Sequence, residues 1–155
     1  MAVQTALTNR ERELLETVRR AVLATVGSDG SPRAVPICFA VRLDGSESLP
    51  VVYSALDEKP KRGADPHDLA RVRDLLARPS VTVLADVWDE AWSRLAWVQL
   101  RGSASLMEPG HPEHARAVMA LRARYPQYAG HALESRPIVR VKVTTVRSWS
   151  ASGGA

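Results

Sequence analysis

The sequence predicts a mainly β chain with flanking helices, built as a six-stranded antiparallel barrel. Three observations carry this. Six short β-rich runs fit within 155 residues. The first two are joined by Gly27-Ser28-Asp29-Gly30-Ser31, a turn of the kind a hairpin needs. Three helical segments fall at irregular intervals, without the strand-helix alternation of a doubly wound parallel sheet. A mass of 16.9 kDa leaves room for one domain. That domain is expected over 1–155, with an N-terminal helix in 1–20, the barrel in 21–149 and a flexible tail in 150–155.

Taken in order, Thr8-Asn9-Arg10-Glu11 is a capping box, and Leu14, Leu15 and Val18 follow at helical spacing. Ala21 to Val26 is the first strand and Arg33 to Val41 the second. Pro36 cannot donate to a ladder, which places it at an edge or a bulge where the backbone is open to a ligand. Asp44-Gly45-Ser46 turns the chain into a third strand, Leu49 to Ala55. After a polar stretch, Asp65 caps a helix with Pro66 in its first turn, and Leu69, Val72, Leu75 and Leu76 form its apolar face up to a stop at Arg78-Pro79-Ser80. Val81 to Trp88 and Leu95 to Leu106, the latter interrupted near Gly102, are the fourth and fifth strands. A third helix runs from Pro112 to Tyr125-Pro126. In the sixth strand, Ile138 to Val146, Val139, Val141 and Val143 alternate with Arg140, Lys142 and Thr144 to give one dry face.

Several chemistries are excluded at this level. The longest apolar runs fall well short of the roughly 18 to 20 residues of a membrane helix, and the N-terminus lacks a signal peptide's apolar middle, so the cytoplasm is the expected location. A single cysteine, Cys38, rules out an intrachain disulfide and any multi-cysteine metal centre. His111 and His114 supply only two ligands, too few for a metal site. There is no GxGxxG or GxxxxGK loop and no hydrolase signature. The net charge of +4 invites an anionic partner. Nucleic acid fits poorly, because aromatics are 5% of the chain and do not alternate with cations along a strand.

The strongest chemical signal is Tyr53-Ser54-Ala55-Leu56-Asp57-Glu58-Lys59-Pro60-Lys61-Arg62-Gly63. Here a strand runs out into three cations ahead of a helix. Ser54, Lys59, Lys61 and Arg62 can together hold a phosphate, with His67 beside them, and a solvated charged loop is the competing reading. Cys38 reads as a small buried hydrophobe. Trp88 and Trp97 read as core. Trp92, set among Asp89, Glu90, Ser93 and Arg94, reads as an interface residue or a platform for a ring-shaped ligand, with plain core as the competing reading.

Together the segments LATVGSDGSPRAVPICFAV, KPKR, LLARPSVTVLADVWDEAWSRLAWVQLRGSASL and SWSAS resemble the split β-barrel flavin and deazaflavin oxidoreductases of the pyridoxamine 5'-phosphate oxidase-like superfamily. Within it they are most similar to the coenzyme F420-dependent subgroup of the PPOX class. The resemblance implies an FMN-binding split barrel that forms a homodimer, with cofactor grooves between the subunits. It implies F420 as cofactor, with FMN as the alternative, and hydride transfer to a small electrophilic substrate. It also implies that Pro36, Ile37 and Cys38 present backbone to the tricyclic ring, that Ser54, Lys59, Lys61 and Arg62 grip the phosphate, and that Trp92 lies near the groove. Arg71 and Arg73 would broaden the basic surface for F420's glutamate tail. Binding of a flavin, F420 or haem-like ligand without catalysis is the second reading.

Overall fold

A computed structural model describes residues 4–44, 48–56 and 65–153. The Gly45-Ser46 part of the first long turn, and Lys59, Lys61 and Arg62 of the cation cluster, lie outside the described residues. Helix α1 (Asn9–Thr17) starts on the expected capping box. Its Glu11 N–H donates to Thr8 Oγ1 at 3.3 Å, and the Glu11 carboxylate accepts from Thr8 N–H at 2.8 Å. Strands β1 (Ala21–Val26) and β2 (Pro32–Ile37) form the expected hairpin. They are followed by β3 (Ala40–Arg42) and β4 (Val51–Ala55).

Asp65 does cap at the expected place, accepting from His67 N–H, but it caps a single 3-10 turn, Pro66–Asp68. Helix α2 (Ala70–Ala77) starts afresh after Leu69 and buries Val72, Asp74 and Leu75. Leu76 is 58% exposed, a correction to the face expected from its spacing. Strands β5 (Ser80–Val87) and β6 (Ala96–Met107), helix α3 (His114–Arg124) and β7 (Ile138–Ser150) complete the chain. Strand β7 keeps the predicted dry face and runs four residues beyond Val146.

All strands join one antiparallel sheet in the order β2-β1-β5-β6-β7-β4-β3. The sheet has seven strands, not six. The apolar run expected as one strand from Arg33 to Val41 is cut at Cys38 and Phe39, and its halves lie on opposite edges of the sheet. A bulge between Arg101 and Gly102 shifts the β6–β7 register where the sequence is interrupted.

Two cores follow from the alternation of side chains across the curled sheet. The interior core holds Leu23, Phe39, Val52, Val83, Leu100 and Val141, among others, with Leu14 and Leu15 of α1 and Val72 and Leu75 of α2 packed into it. The second lies on the outer face, where α3 and the following turn cover Ala40, Val51, Tyr53, Ala55, Met107 and Ile138. Strand β4 is therefore buried along its whole length, sandwiched between both cores. The rest of the outer face, carried by β2, β1, β5, by β6 before Met107 and by β7 beyond the bulge, contributes no residue to the α3 core.

Candidate functional site

The two sheet edges are successive in the chain: β2 ends at Ile37 and β3 begins at Ala40. Cys38 and Phe39 thus carry the backbone across the split in the barrel. The crossing is held from both sides. Ser54 Oγ donates to the Cys38 carbonyl at 2.9 Å, and Tyr125 Oη accepts from Phe39 N–H at 3.0 Å. The Tyr125 hydroxyl also lies 3.1 Å from the carbonyls of Phe39 and Arg19, which joins the crossing to the start of β1. Pro36, Ile37, Cys38 and Ser54, expected to act together, are brought together here. Pro36 is exposed, Cys38 half-buried, and Ile37 and Ser54 buried.

Strand β2 is an edge, as Pro36 requires, and the register shows how the edge is built. Gly27 N–H donates to Ser31 O, which makes Gly27 and Ser31 a hydrogen-bonded pair. Counting along the antiparallel ladder, Arg33, Val35 and Ile37 bond to β1, while Pro32, Ala34 and Pro36 turn their backbone groups outward. Two of these three outward positions are proline and have no N–H to leave unpaired. The outward edge therefore presents three carbonyls and a single donor, the Ala34 N–H. Such a mostly accepting rim, beside small side chains, suits a flat ring bearing its own N–H groups.

The cation-bearing segment is anchored at both ends. At its start, Arg136 Nε donates to Leu56 O at 2.5 Å. At its end, the His67 ring bridges two carboxylates, with Nδ1 2.6 Å from Asp65 and Nε2 2.5 Å from Glu108 just past β6. The hydrogen bond to Glu108, followed by that to Asp65, raises the His67 pKa. Arg73 is exposed on α2 and Arg71 half-buried.

Trp92 sits on a 3-10 turn, Trp92–Arg94, and is 70% exposed. The loop is shaped by Asp89, whose carboxylate accepts from Ala91 N–H at 2.8 Å and Arg94 Nη1 at 3.3 Å. Trp88 is 71% exposed, not core: β5 turns Val81, Val83, Ala85 and Val87 toward the interior, so the alternation carries Trp88 to the opposite face. Trp97 is also not core. It is half-buried on the outer face, in register with Trp149, which is 49% exposed. Beside this pair lies a cavity of about 1080 Å³ between α1 and the ends of β6 and β7. Glu11, buried and bonded to Ser148 Oγ at 2.7 Å, forms part of its wall.

One polar cluster was not anticipated. Glu113 accepts from Arg42 Nη1 at 2.6 Å, Tyr53 Oη at 2.8 Å and Arg140 Nε at 3.0 Å. The Arg140 hydrogen bonds, helped by those from Tyr53 and by the charge of Arg42, lower its pKa from 4.5 to about 2 against the cost of burial. Burial, then the bond to Glu113, raises the Tyr53 pKa. The signal in the sequence was the alternation that puts Tyr53 and Arg140 on outward faces, but their pairing in register is visible only in the sheet. His114 is buried with Nε2 2.7 Å from Arg136 O, and His111 Nδ1 accepts from Glu113 N–H.

A curled sheet whose edges meet at a two-residue crossing, closed by a helix over one face, is a split β-barrel. Residues 7–150 match the family model described as pyridoxamine 5'-phosphate oxidase, and the chain belongs to that family. No curated protein matches it. Among solved structures it resembles the conserved hypothetical protein Rv2991 from Mycobacterium tuberculosis, with a TM-score of 0.70, 22% identity, and coverage of 97% of this chain and 89% of that one. It resembles an F420 reductase, with a TM-score of 0.61, 22% identity, and 91% and 98% coverage. It also resembles HutZ, the heme storage protein from Vibrio cholerae, with a TM-score of 0.65, 14% identity, and 94% coverage of each chain. At these identities the likeness is one of fold. No helix among the described residues is long and apolar enough to cross a membrane.

Proposed function

We propose that this chain is an oxidoreductase that transfers a hydride between bound coenzyme F420 and a small electrophilic organic substrate such as an activated alkene, quinone or imine. The observation that carries the reading is the open edge of β2, where Pro32, Ala34 and Pro36 face outward next to the crossing at Cys38. The carbonyls of Pro36 and Cys38 and the Ala34 N–H are the chain's groups for orienting a tricyclic ring. Lys59, Lys61 and Arg62 are its groups for the phosphate, while Ser54, whose one O–H is given to the Cys38 carbonyl, fixes the crossing beside the ring. When bound, the reduced deazaflavin supplies the hydride, and the protein's part is to position the ring and exclude water. The likeness to an F420 reductase accords with a deazaflavin, and FMN is the alternative cofactor, in keeping with the likeness to an FAD-binding protein.

The working unit in this reading is a homodimer. Support comes from the outer face of β1, β5 and β6, where Val22, Ala24, Val26, Leu84 and Trp97 are only half-buried, and from exposed Trp88, Trp92 and Trp149. A second copy on this face would bury those side chains and bring Trp92 to a groove. Leu84→Lys is expected to give a folded monomer at concentrations where the parent sediments as a dimer. A parent that sediments as a monomer removes the intersubunit groove from the proposal.

The cofactor is tested by titrating the protein side by side with F420 and FMN, followed by ring fluorescence. Tight F420 binding that weakens by at least roughly tenfold in each of Lys59→Ala, Lys61→Ala and Arg62→Ala is expected. Trp92→Ala should weaken it less. Selective FMN binding would move the chain to the flavin branch, and binding of neither overturns the reading. F420 bound without oxidation of its reduced form by any quinone, alkene or imine acceptor favours the second reading. In that reading the chain is a non-enzymatic binding protein, to which the likeness to a heme storage protein also points.

A further inference from the structure

The crossing between the two sheet edges turns on one peptide unit. The Cys38 carbonyl and the Phe39 N–H lie in the same plane, and a buried side-chain hydroxyl holds each of them. The carbonyl accepts from Ser54 Oγ of β4 at 2.9 Å, and the N–H donates to Tyr125 Oη at 3.0 Å. Cys38 and Phe39 belong to neither β2 nor β3, so the regular ladders stop short of this plane. A flip of the plane would break both bonds at once and leave the Phe39 N–H without its partner inside the protein.

Tyr125 is the C-cap residue of α3 and is buried. Its place is set by the chain around it. Arg19 Nη2 donates to Arg124 O at 2.6 Å, and Arg124 Nη2 donates to Val18 O. The Arg19 and Arg124 guanidiniums lie 4.8 and 5.8 Å from the centre of the Tyr125 ring. Arg124 is also 4.6 Å from the centre of the buried Phe39 ring. The end of α3 is thereby fastened to the segment that leads into β1 and to Phe39, and the Tyr125 hydroxyl is a fixed point for the crossing.

We propose that Tyr125 is a positioning residue for the ligand at the β2 edge: through the Phe39 N–H it sets the direction of the 38–39 peptide, and with it the Pro36–Cys38 backbone that the ligand meets. This rests on the reading of that edge as the site of the cofactor's ring. Tyr125 touches no ligand and acts through Phe39 and Cys38. A phenylalanine in its place keeps the ring between the two arginines and loses only the hydroxyl's bonds. The crossing is then held by Ser54 alone, and the peptide visits more than one orientation. Binding draws on one of them, so the apparent Kd rises by the inverse of its population.

The test is a titration of the full chain with F420 and with FMN, comparing the parent with Tyr125→Phe, Ser54→Ala and Val118→Ala. Val118 packs in the same α3 core and makes no hydrogen bond to the crossing, so its variant controls for lost stability alone. The Kd of the cofactor that the parent binds should rise by roughly tenfold in Tyr125→Phe and in Ser54→Ala, with the absorption band of the bound ring displaced from the parent's. Val118→Ala should keep the parent's Kd and band while its denaturant midpoint falls. A parent that binds neither cofactor overturns the reading of the edge, and this role with it. A parent that binds, beside a Tyr125→Phe variant with the same Kd and band or a Val118→Ala variant weakened as much, overturns this role alone. Should Tyr125→Phe not fold, Ser54→Ala decides by the same criteria.

Discussion

The two edges of the one sheet are finished in opposite ways. At β3 the edge is fastened: Arg42 at its end is clasped by Glu113 and Asp44, and α3 lies over the outer face beside it. At β2 one ion pair, Arg33 Nε to Asp74 of α2 at 2.8 Å, ties the strand down, and proline takes two of the three outward positions. The first arrangement spends its charges on holding the fold. The second leaves accepting carbonyls free while denying a foreign strand the donors it would need to pair, which protects an edge from aggregation and still leaves it open to a ligand. The bulge at Gly102 lies between the two regimes: before it β6 pairs with Thr145 to Ser150, none of which reaches the α3 core, and after it with Val143 to Ile138, the last of which does.

Breaking that division should have the largest effect. A Cβ at Gly102 would overlap the carbonyl oxygen of Lys142 and stand 2.8 Å from its carbon and 2.9 Å from Val143 Cα. These are backbone atoms of a strand paired on both sides, so relief requires moving the ladder. Gly102→Ala is expected to destabilise the fold by about 3 kcal/mol, read as a lowered denaturant midpoint. A loss near zero would mean that the bulge can slide and that the two halves of β7 are not locked in place.

The fastened edge should respond next. Glu113→Gln removes the charge on which Arg42 and Arg140 converge, and leaves two half-buried guanidiniums facing an amide. Contact with solvent discounts the loss, to about 2 kcal/mol. The sign of the pH dependence follows from the lowered pKa. A carboxylate shifted from 4.5 to about 2 contributes fully above 4.5, and that contribution is lost as pH falls through the interval to 2. The parent should therefore lose stability more steeply than the variant between pH 5 and pH 2, with the two curves converging at the acid end. Parallel curves would show that Glu113 is not the group that fastens the edge.

How much of this could be read in advance depended on the range of the interaction. The capping box at Thr8, the edge role of Pro36, the interruption at Gly102 and the dry face of β7 are local patterns, and each is present in the fold. The split of one apolar run into β2 and β3 was not legible, because Cys38 and Phe39 are as β-prone as their neighbours. What breaks the run is Tyr125, 86 residues away, bonding to Phe39. Glu113 gathers Arg42 and Arg140 from 71 and 27 residues off, so no spacing announces the cluster. Trp88 is apolar but stands one step out of phase with Val81, Val83, Ala85 and Val87, so the strand turns it to the outer face, where α3 does not reach. Of the expected site, Pro36, Ile37, Cys38 and Ser54 converge. Lys59, Lys61 and Arg62 lie outside the described residues.

The open edge should give the smallest and most informative response. If Pro36 faces outward, its ring replaces no ladder bond, and Pro36→Ala acts through the unfolded chain. The freed backbone then costs about 0.5 kcal/mol of stability. If instead position 36 faced β1, the new N–H would complete a bond to Val22, and the variant would be more stable than the parent. The sign of a small shift in the denaturant midpoint therefore decides which backbone groups β2 turns outward. With it stands or falls the claim that this edge, unlike its fastened counterpart, is built to receive a ligand.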